Sequence, residues 1–305
     1  MPQPRLSVVV GSQNAYHTIE ECLSSIEKQM SPECAELIVA DYSTDGTTGI
    51  IQTKFPEVKL ITFTKPKLIP ELWGAGISKC TGDIVAFTTA HCIPDKKWIS
   101  EILKVHDAPY AAVGGAIECS DEAAIVEWAV YFCRYSPYMK PFSAGMVQEV
   151  PGDNASYKKY ALDGCKELWK DGFWETVINA KLRRDGEQLF SSPSIVVYHK
   201  RSFGLAGFSI QRFHHGIHFG ATRSADFSFL KRIVYIGLSI SVPFVYFFHI
   251  ARRVLKKGRN INRFVLSSPI LFLFLISWAA GEFLGYLSGL WKNQKSQNSP
   301  LLLRQ

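Results

Sequence analysis

The first two hundred residues alternate short β-branched runs with amphipathic stretches. Residues 6–10 (LSVVV), 36–40 (ELIVA), 58–63 (VKLITF) and 83–87 (DIVAF) predict buried strands. Residues 18–29 (TIEECLSSIEKQ) and 70–79 (PELWGAGISK) predict the helices between them. Such alternation implies an α/β domain with a mixed, mainly parallel sheet covered on both faces. Ligands in these sheets collect at the C-terminal ends of the strands. The loops after Val10, Ala40 and Phe87 are therefore where chemistry is expected.

The pattern changes near the C-terminus. Residues 233–251 form a run of 19 without a charge, and 264–281 a run of 18. Each is close to the ~20 residues needed to cross ~30 Å of hydrocarbon. Six Lys/Arg and no acid separate them, over 252–263. Glu282 interrupts the second run and is expected to face another helix, a basic partner or an interface, because a carboxylate facing lipid is costly. The expected division is a catalytic domain over 1–222 and a membrane-associated helical hairpin with a tail over 223–305. A pair of buried core helices in a soluble protein has the same composition. If both runs span, the six-base loop lies across the membrane from the front domain, against the positive-inside tendency. A hairpin dipping into one leaflet avoids this, and the sequence does not choose between the two.

Charge sharpens the division. The net charge of +7 is the sum of +13 over residues 200–305 and −6 over the rest. Positive charge beside apolar runs points to a membrane surface rather than to nucleic acid. A hydrophobic content of 47% with 20% charged residues excludes a mainly disordered chain. The seven cysteines lie between Cys22 and Cys165 without a Cys-x-x-Cys pair, which suits a reducing compartment. The five apolar residues near the N-terminus are too few for a signal peptide, so the front domain is expected to face the cytoplasm.

The motif with the most chemistry is DYSTDGT at 41–47. An acid at a strand end followed by Ser, Thr, Asp and Gly makes a tight turn that presents the Asp41 carboxylate to a nucleobase or a ribose. On these residues alone, a turn with a helix N-cap reads equally well. Context tips the balance. Residues 7–10, Asn14, the helix bearing Glu20, Glu21, Cys22 and Leu23, Gln29, the strand 36–40 and the 41–47 turn together resemble the N-terminal half of family-2 glycosyltransferases. The spacing follows that family to about residue 220.

The resemblance implies a GT-A fold, a UDP- or GDP-sugar donor and transfer with inversion at the anomeric carbon. It places Val10, Ser12, Asn14 and Asp41 around the donor nucleotide, with Asp41 on the base. The family's Asp-x-Asp, which holds a divalent metal on the diphosphate, falls on Thr89, Ala90 and His91, so both acids are missing. His91 and, at the end of the strand 195–198, His199 are the remaining candidates for diphosphate or Mn²⁺/Mg²⁺. The family's general base, counted back from Lys181, Leu182 and Gly186, falls on Glu175, with Trp174 before it. By the residues alone, Glu175 is equally an acid favoured at a helix N-terminus. Asp153, Asn154 and Trp174 fall on the acceptor side. Gln211, His214 and His215 stand where membrane-bound relatives carry Gln-x-x-Arg-Trp, and are expected to form a polar, partly cationic wall toward a phosphate. Together these imply an inverting transferase acting on a lipid-linked or glycan acceptor at the cytoplasmic membrane face. Loss of the metal-binding acids keeps open a degenerate sugar-nucleotide- or lipid-binding scaffold, and a subunit of a polysaccharide synthase is the third reading.

Overall fold

A computed structural model describes residues 4–31, 35–200 and 204–291. The chain forms two compact units, Met1–Ser120 with Tyr138–Arg201, and Asp121–Pro137 with Ser202–Gln305.

The first unit runs β1 (Leu6–Ser12), α1 (Ile19–Glu27), β2 (Ala35–Asp41), α2 (Thr47–Lys54), β3 (Lys59–Thr62), α3 (Ile69–Ile77) and β4 (Ile84–Thr89). It continues with β5 (Cys92–Pro94), α4 (Trp98–Val105) and β6 (Ala112–Cys119). The helix α5 (Ile125–Tyr135) belongs to the second unit. The chain then returns through β7 (Gly145–Met146), a 3-10 turn (Gly152–Asn154), β8 (Ala155–Lys158), α6 (Lys159–Asp163), α7 (Lys166–Trp169), α8 (Glu175–Arg184) and β9 (Leu189–His199). The strand order is β3-β2-β1-β4-β8-β6-β9-β5, with β7 pairing β9.

The four N-terminal strands are parallel, as the alternation predicts, and β8 enters antiparallel between β4 and β6. The sheet is therefore mixed, the GT-A arrangement. All seven residues of β1 are buried, with Val9 beside Ile38 on one side and Phe87 on the other. A central parallel strand buried on both faces needs such an unbroken apolar run. The strands extend past the apolar runs to Ser12, Asp41 and Thr89, so the polar residues at their ends are held by the sheet rather than by loops.

The second unit contains α5 together with α9 (Leu205–Arg223), α10 (Phe229–Ser239), α11 (Val242–Lys257) and α12 (Ile261–Trp291). Packing divides the chain elsewhere than at the expected 222/223. The helix α9 meets α12 along Gly216, Gly220, Gly281 and Gly285, where a Cβ would lie 2.0–2.4 Å from the facing helix's carbonyl oxygens. Two small residues four apart on each helix let the backbones touch, and any larger side chain would force them apart.

The first apolar run also departs from expectation. It is not one segment but two helices, α10 and α11, bent by 56° at the break. The cause is local: Pro243 sits in the first turn of α11, where its missing N–H costs nothing, but it cannot continue a helix from α10. The expected hairpin is thus a set of three helices after α9. The second run meets its expectation, with Ile261–Ser288 long and apolar enough to cross a membrane (mean hydropathy 2.0). Glu282 is buried in it and is not left facing outward. Its carboxylate accepts from Tyr286 Oη at 2.6 Å and Trp278 Nε1 at 3.1 Å, with Arg223 at 4.0 Å.

Candidate active site

The loops after β1 and β2 are bonded to each other. Asp41 is 1% exposed, and its carboxylate accepts from Ser43 Oγ at 2.6 Å and Thr48 Oγ1 at 2.5 Å. Ser43 Oγ in turn accepts the backbone N–H of Asn14 at 2.9 Å. Asn14 Oδ1 accepts from the Thr44 N–H at 2.8 Å. Asn14 holds φ at 49°, a region its short polar side chain tolerates better than most. Asp45 closes the turn on Thr47 and on the Tyr16 N–H. Burial pushes the Asp45 pKa up, but these hydrogen bonds outweigh it and leave the carboxyl below its ordinary range. The structure therefore gathers Ser12, Asn14 and Asp41 at one corner of the sheet, with Val10 buried beneath them. Ser12 Oγ is buried there without a hydrogen-bond partner.

Glu175 reaches the same region by a different route. Phe173 stacks on Phe87 at 4.5 Å and donates its N–H to the Pro70 carbonyl at 2.7 Å. These two contacts fix where α8 begins, two residues later. Further along α8, Asn179 accepts from Tyr157 Oη at 2.9 Å and donates to Glu149 and the Val150 carbonyl. Trp73 of α3 donates Nε1 to the Thr88 carbonyl at 2.9 Å, which lays its ring under the ends of β1 and β4. A Cβ on Gly11 would stand 3.1 Å from the Trp73 nitrogen. A Cβ on Gly152 would stand 2.9 Å from the same ring and 3.0 Å from the Glu175 carboxyl carbon. One indole ring thus spans from the strand ends to Glu175, which opens α8 with Trp174, 39% exposed, at its N-cap. Sequence reasoning missed Trp73; a tryptophan preceding the Gly74-Ala75-Gly76 stretch of an amphipathic helix was its available signal.

Three expected roles change. Asn154 is not an acceptor-side contact, because its amide is spent on the fold. It accepts from Trp98 Nε1 at 2.8 Å and donates to the carbonyls of Ala116 and Ile195 at 2.8 and 3.1 Å. These bonds lie where β9 bulges against β6 at Gly115 and Ala116, leaving backbone that needs a partner. Asp153, beside it in the 3-10 turn, is partly exposed.

His91 is likewise built into the frame. The structure does bring it next to His199, since Cys92 pairs with His199 and the Lys200 N–H donates to the His91 carbonyl at 2.8 Å. However, His91 Nε2 lies 3.2 Å from the Gln13 carbonyl and Nδ1 3.2 Å from Thr18 Oγ1. A ring that donates from Nε2, and either accepts from the Thr18 hydroxyl at Nδ1 or donates to its oxygen there, satisfies both and has no lone pair left for a metal. Thr89 is buried at the end of β4, with Ala90 tied to the Gly11 carbonyl. Among the described residues no three His, Cys, Asp or Glu side chains group as a metal site. The residues present do not fit a divalent ion held as the resemblance implies, whether by His91 alone or with His199.

In the second unit, Gln211, His214 and His215 share α9, with the two histidines exposed. His215 is disfavoured as a cation in that wall. Partial burial of its ring, then the Arg212 cation whose Nη2 donates to its Nδ1 at 2.8 Å, bring its pKa down to about 4.

The mixed sheet, four parallel N-terminal strands with β8 antiparallel between β4 and β6, is that of the GT-A fold. The chain belongs to glycosyltransferase family 2, whose family model, Glycosyl transferase family 2, matches residues 7–163. Among solved structures, its fold is similar to that of the mannosyltransferase PcManGT from Pyrobaculum calidifontis in complex with GDP-Man and Mn²⁺. That pair shares 19% identity, covers 96% of this chain and 88% of the other, and has a TM-score of 0.55. It is also similar to S. aureus TarS 1–349 in complex with UDP-GlcNAc, at 13% identity, coverage of 91% and 90%, and a TM-score of 0.50. No curated protein matches the chain.

Proposed function

We propose that this protein is an inverting glycosyltransferase that moves a sugar from a UDP- or GDP-linked donor to a lipid-linked or glycan acceptor at the cytoplasmic membrane face. The observation that carries the proposal is the Glu175 carboxyl beside Gly152 and Trp73, one ring away from the ends of β1 and β4. The donor nucleotide lies along Val10, Ser12, Asn14 and Asp41, with the base at the Asp41 corner. Glu175 takes the proton from the acceptor hydroxyl as its oxygen attacks the anomeric carbon and the nucleoside diphosphate leaves from the opposite face. Asp153 and Trp174 line the acceptor approach. The binding of GDP-Man and UDP-GlcNAc by two proteins of the same fold supports a nucleotide-sugar donor.

Membrane attachment is supported by Ile261–Ser288 and by the exposed large apolar side chains, which concentrate between Phe229 and Leu284. One observation favours the scaffold reading, namely Thr89 and His91 in place of the metal-holding acids. Glu175→Gln separates the two. In the transferase, turnover falls by roughly 10²-fold or more while donor binding and thermal stability persist. Unchanged turnover would remove Glu175 from the mechanism, and a protein that binds donor but never turns over is the scaffold.

A further inference from the structure

The helical unit carries a pocket that the transfer chemistry above does not use. Its volume is about 260 Å³, and α5, α9, α11 and α12 together with the residues following α5 supply its walls. Three arginines line it, Arg134, Arg212 and Arg253, together with Phe274 and Trp278 of α12. Among the described residues, no carboxylate lies within ion-pair distance of Arg212 or Arg253. Arg212 is held between aromatic faces, 4.9 Å over Phe208 and 5.6 Å over Trp278, with its Nη2 donating to His215.

Two polar groups in the pocket wall lack partners. Arg212 Nε is buried without an acceptor. Ser136 is 1% exposed, and its Oγ is also buried without a hydrogen bond. Buried donors left unmatched are costly, and a wall with two of them beside gathered cations is one that a ligand with several acceptor oxygens would complete. Burial draws down the pKa of Arg212, and the nearby Arg134 cation acts in the same direction.

We propose that this pocket binds a phosphate group carried on a hydrocarbon chain. The arginines and Ser136 hold the phosphate oxygens, for which the guanidinium fork is well shaped. Trp278, on the helix long and apolar enough to cross a membrane, and the exposed Tyr246 of α11 receive the first carbons of the chain, with Phe274 buried behind them. The inference rests on the transferase reading only in taking such a lipid phosphate as the acceptor.

The test uses the full-length chain in neutral detergent micelles. Phosphatidic acid, phosphatidylcholine and inorganic pyrophosphate are titrated separately, with binding read by calorimetry. Saturable binding of phosphatidic acid, but not of phosphatidylcholine, is expected. In Arg212→Gln/Arg253→Gln the affinity should fall at least tenfold, while nucleotide-sugar binding at the other unit stays intact and certifies the fold. Arg253→Lys, which keeps the charge but loses the fork, should fall in between. Equal binding of the two lipids, or unchanged affinity in the double variant, overturns the proposal. Binding of pyrophosphate alone overturns the hydrocarbon part of it. Because binding is read without turnover, Glu175→Gln should bind the lipid as the parent does, so failure of the catalytic reading and failure of this one are distinguishable.

Discussion

The loops after β2 and β4 leave the parallel part of the sheet at the same ends of their strands, yet they use polar residues in opposite ways. After β2, the Asp41 carboxylate accepts only two short side-chain bonds, from Ser43 and Thr48, and an ionised carboxylate has capacity for about four. After β4, both ring nitrogens of His91 and the backbone around it bond to Gln13, Thr18, Gly11 and Lys200. The first loop leaves acceptor capacity on a buried carboxyl group, as the proposed role of Asp41 requires. The second is a clasp that holds the end of β1 to the start of α1. Two loops of one sheet can thus diverge, one toward binding and the other toward architecture, without changing the strands that carry them.

The largest expected break of this comparison is Asp41→Asn. The amide keeps the shape, but it replaces two acceptor oxygens with one and loses the charge. Hydrogen bonds to charged groups contribute about 1.5–3 kcal/mol, so donor affinity should fall by roughly 10- to 100-fold. Calorimetric titration with UDP- and GDP-sugars measures this and also reveals which base is held. An unchanged affinity for both would mean that Asp41 only shapes the turn.

Much of the first loop was legible in the sequence, and little of the second. The β-branched runs located β1, β2 and β4 because central strands must be apolar on both faces, whereas β3, expected to be buried, is a half-exposed edge strand; the DYSTDGT turn follows from small polar residues that bond locally. Counting along the chain puts Asp41 at a strand end and Glu175 at a helix start, where the structure has them. The roles of His91 and Asn154 could not, because each is decided by carbonyls far away in sequence, at Gln13 for one and at Ala116 and Ile195 for the other. The same limit hid the membership of α5 in the helical unit. It also hid the seam of Gly216, Gly220, Gly281 and Gly285, which is visible only when two helices separated by nearly forty residues are laid together. Pro243, by contrast, was a local signal of the break between α10 and α11 that the length of the apolar run masked.

A smaller effect is expected from removing divalent ions. With Thr89, Ala90 and His91 at the metal position, Mg²⁺ lacks the carboxylate oxygens it prefers. Transfer should therefore persist in part in excess EDTA, and Mn²⁺ should restore activity better than Mg²⁺ where either does. Complete loss of transfer in EDTA with tight recovery by Mg²⁺ would show that oxygen ligands are assembled elsewhere when donor binds, and the contrast between the two loops would then be one of position only.

The smallest expected effect sharpens the comparison most. If His91 is a clasp, His91→Gln should be tolerated, because a glutamine amide offers one donor toward the Gln13 carbonyl and one acceptor toward Thr18. Loss of ideal geometry in one hydrogen bond costs about 1 kcal/mol. His91→Ala should cost more, roughly 1–3 kcal/mol for a buried acceptor left unmatched. Both costs should appear in urea unfolding midpoints. Neither variant should change the response of transfer to EDTA or Mn²⁺, because a residue with both nitrogens engaged has no metal to lose. A ligand would behave in the reverse way. Glutamine would then leave stability alone and abolish the Mn²⁺ response, since an amide oxygen is a far weaker partner than an imidazole nitrogen for a transition metal. The two readings differ in which measurement moves, so one pair of variants assigns the loop after β4 either to the frame or to the chemistry.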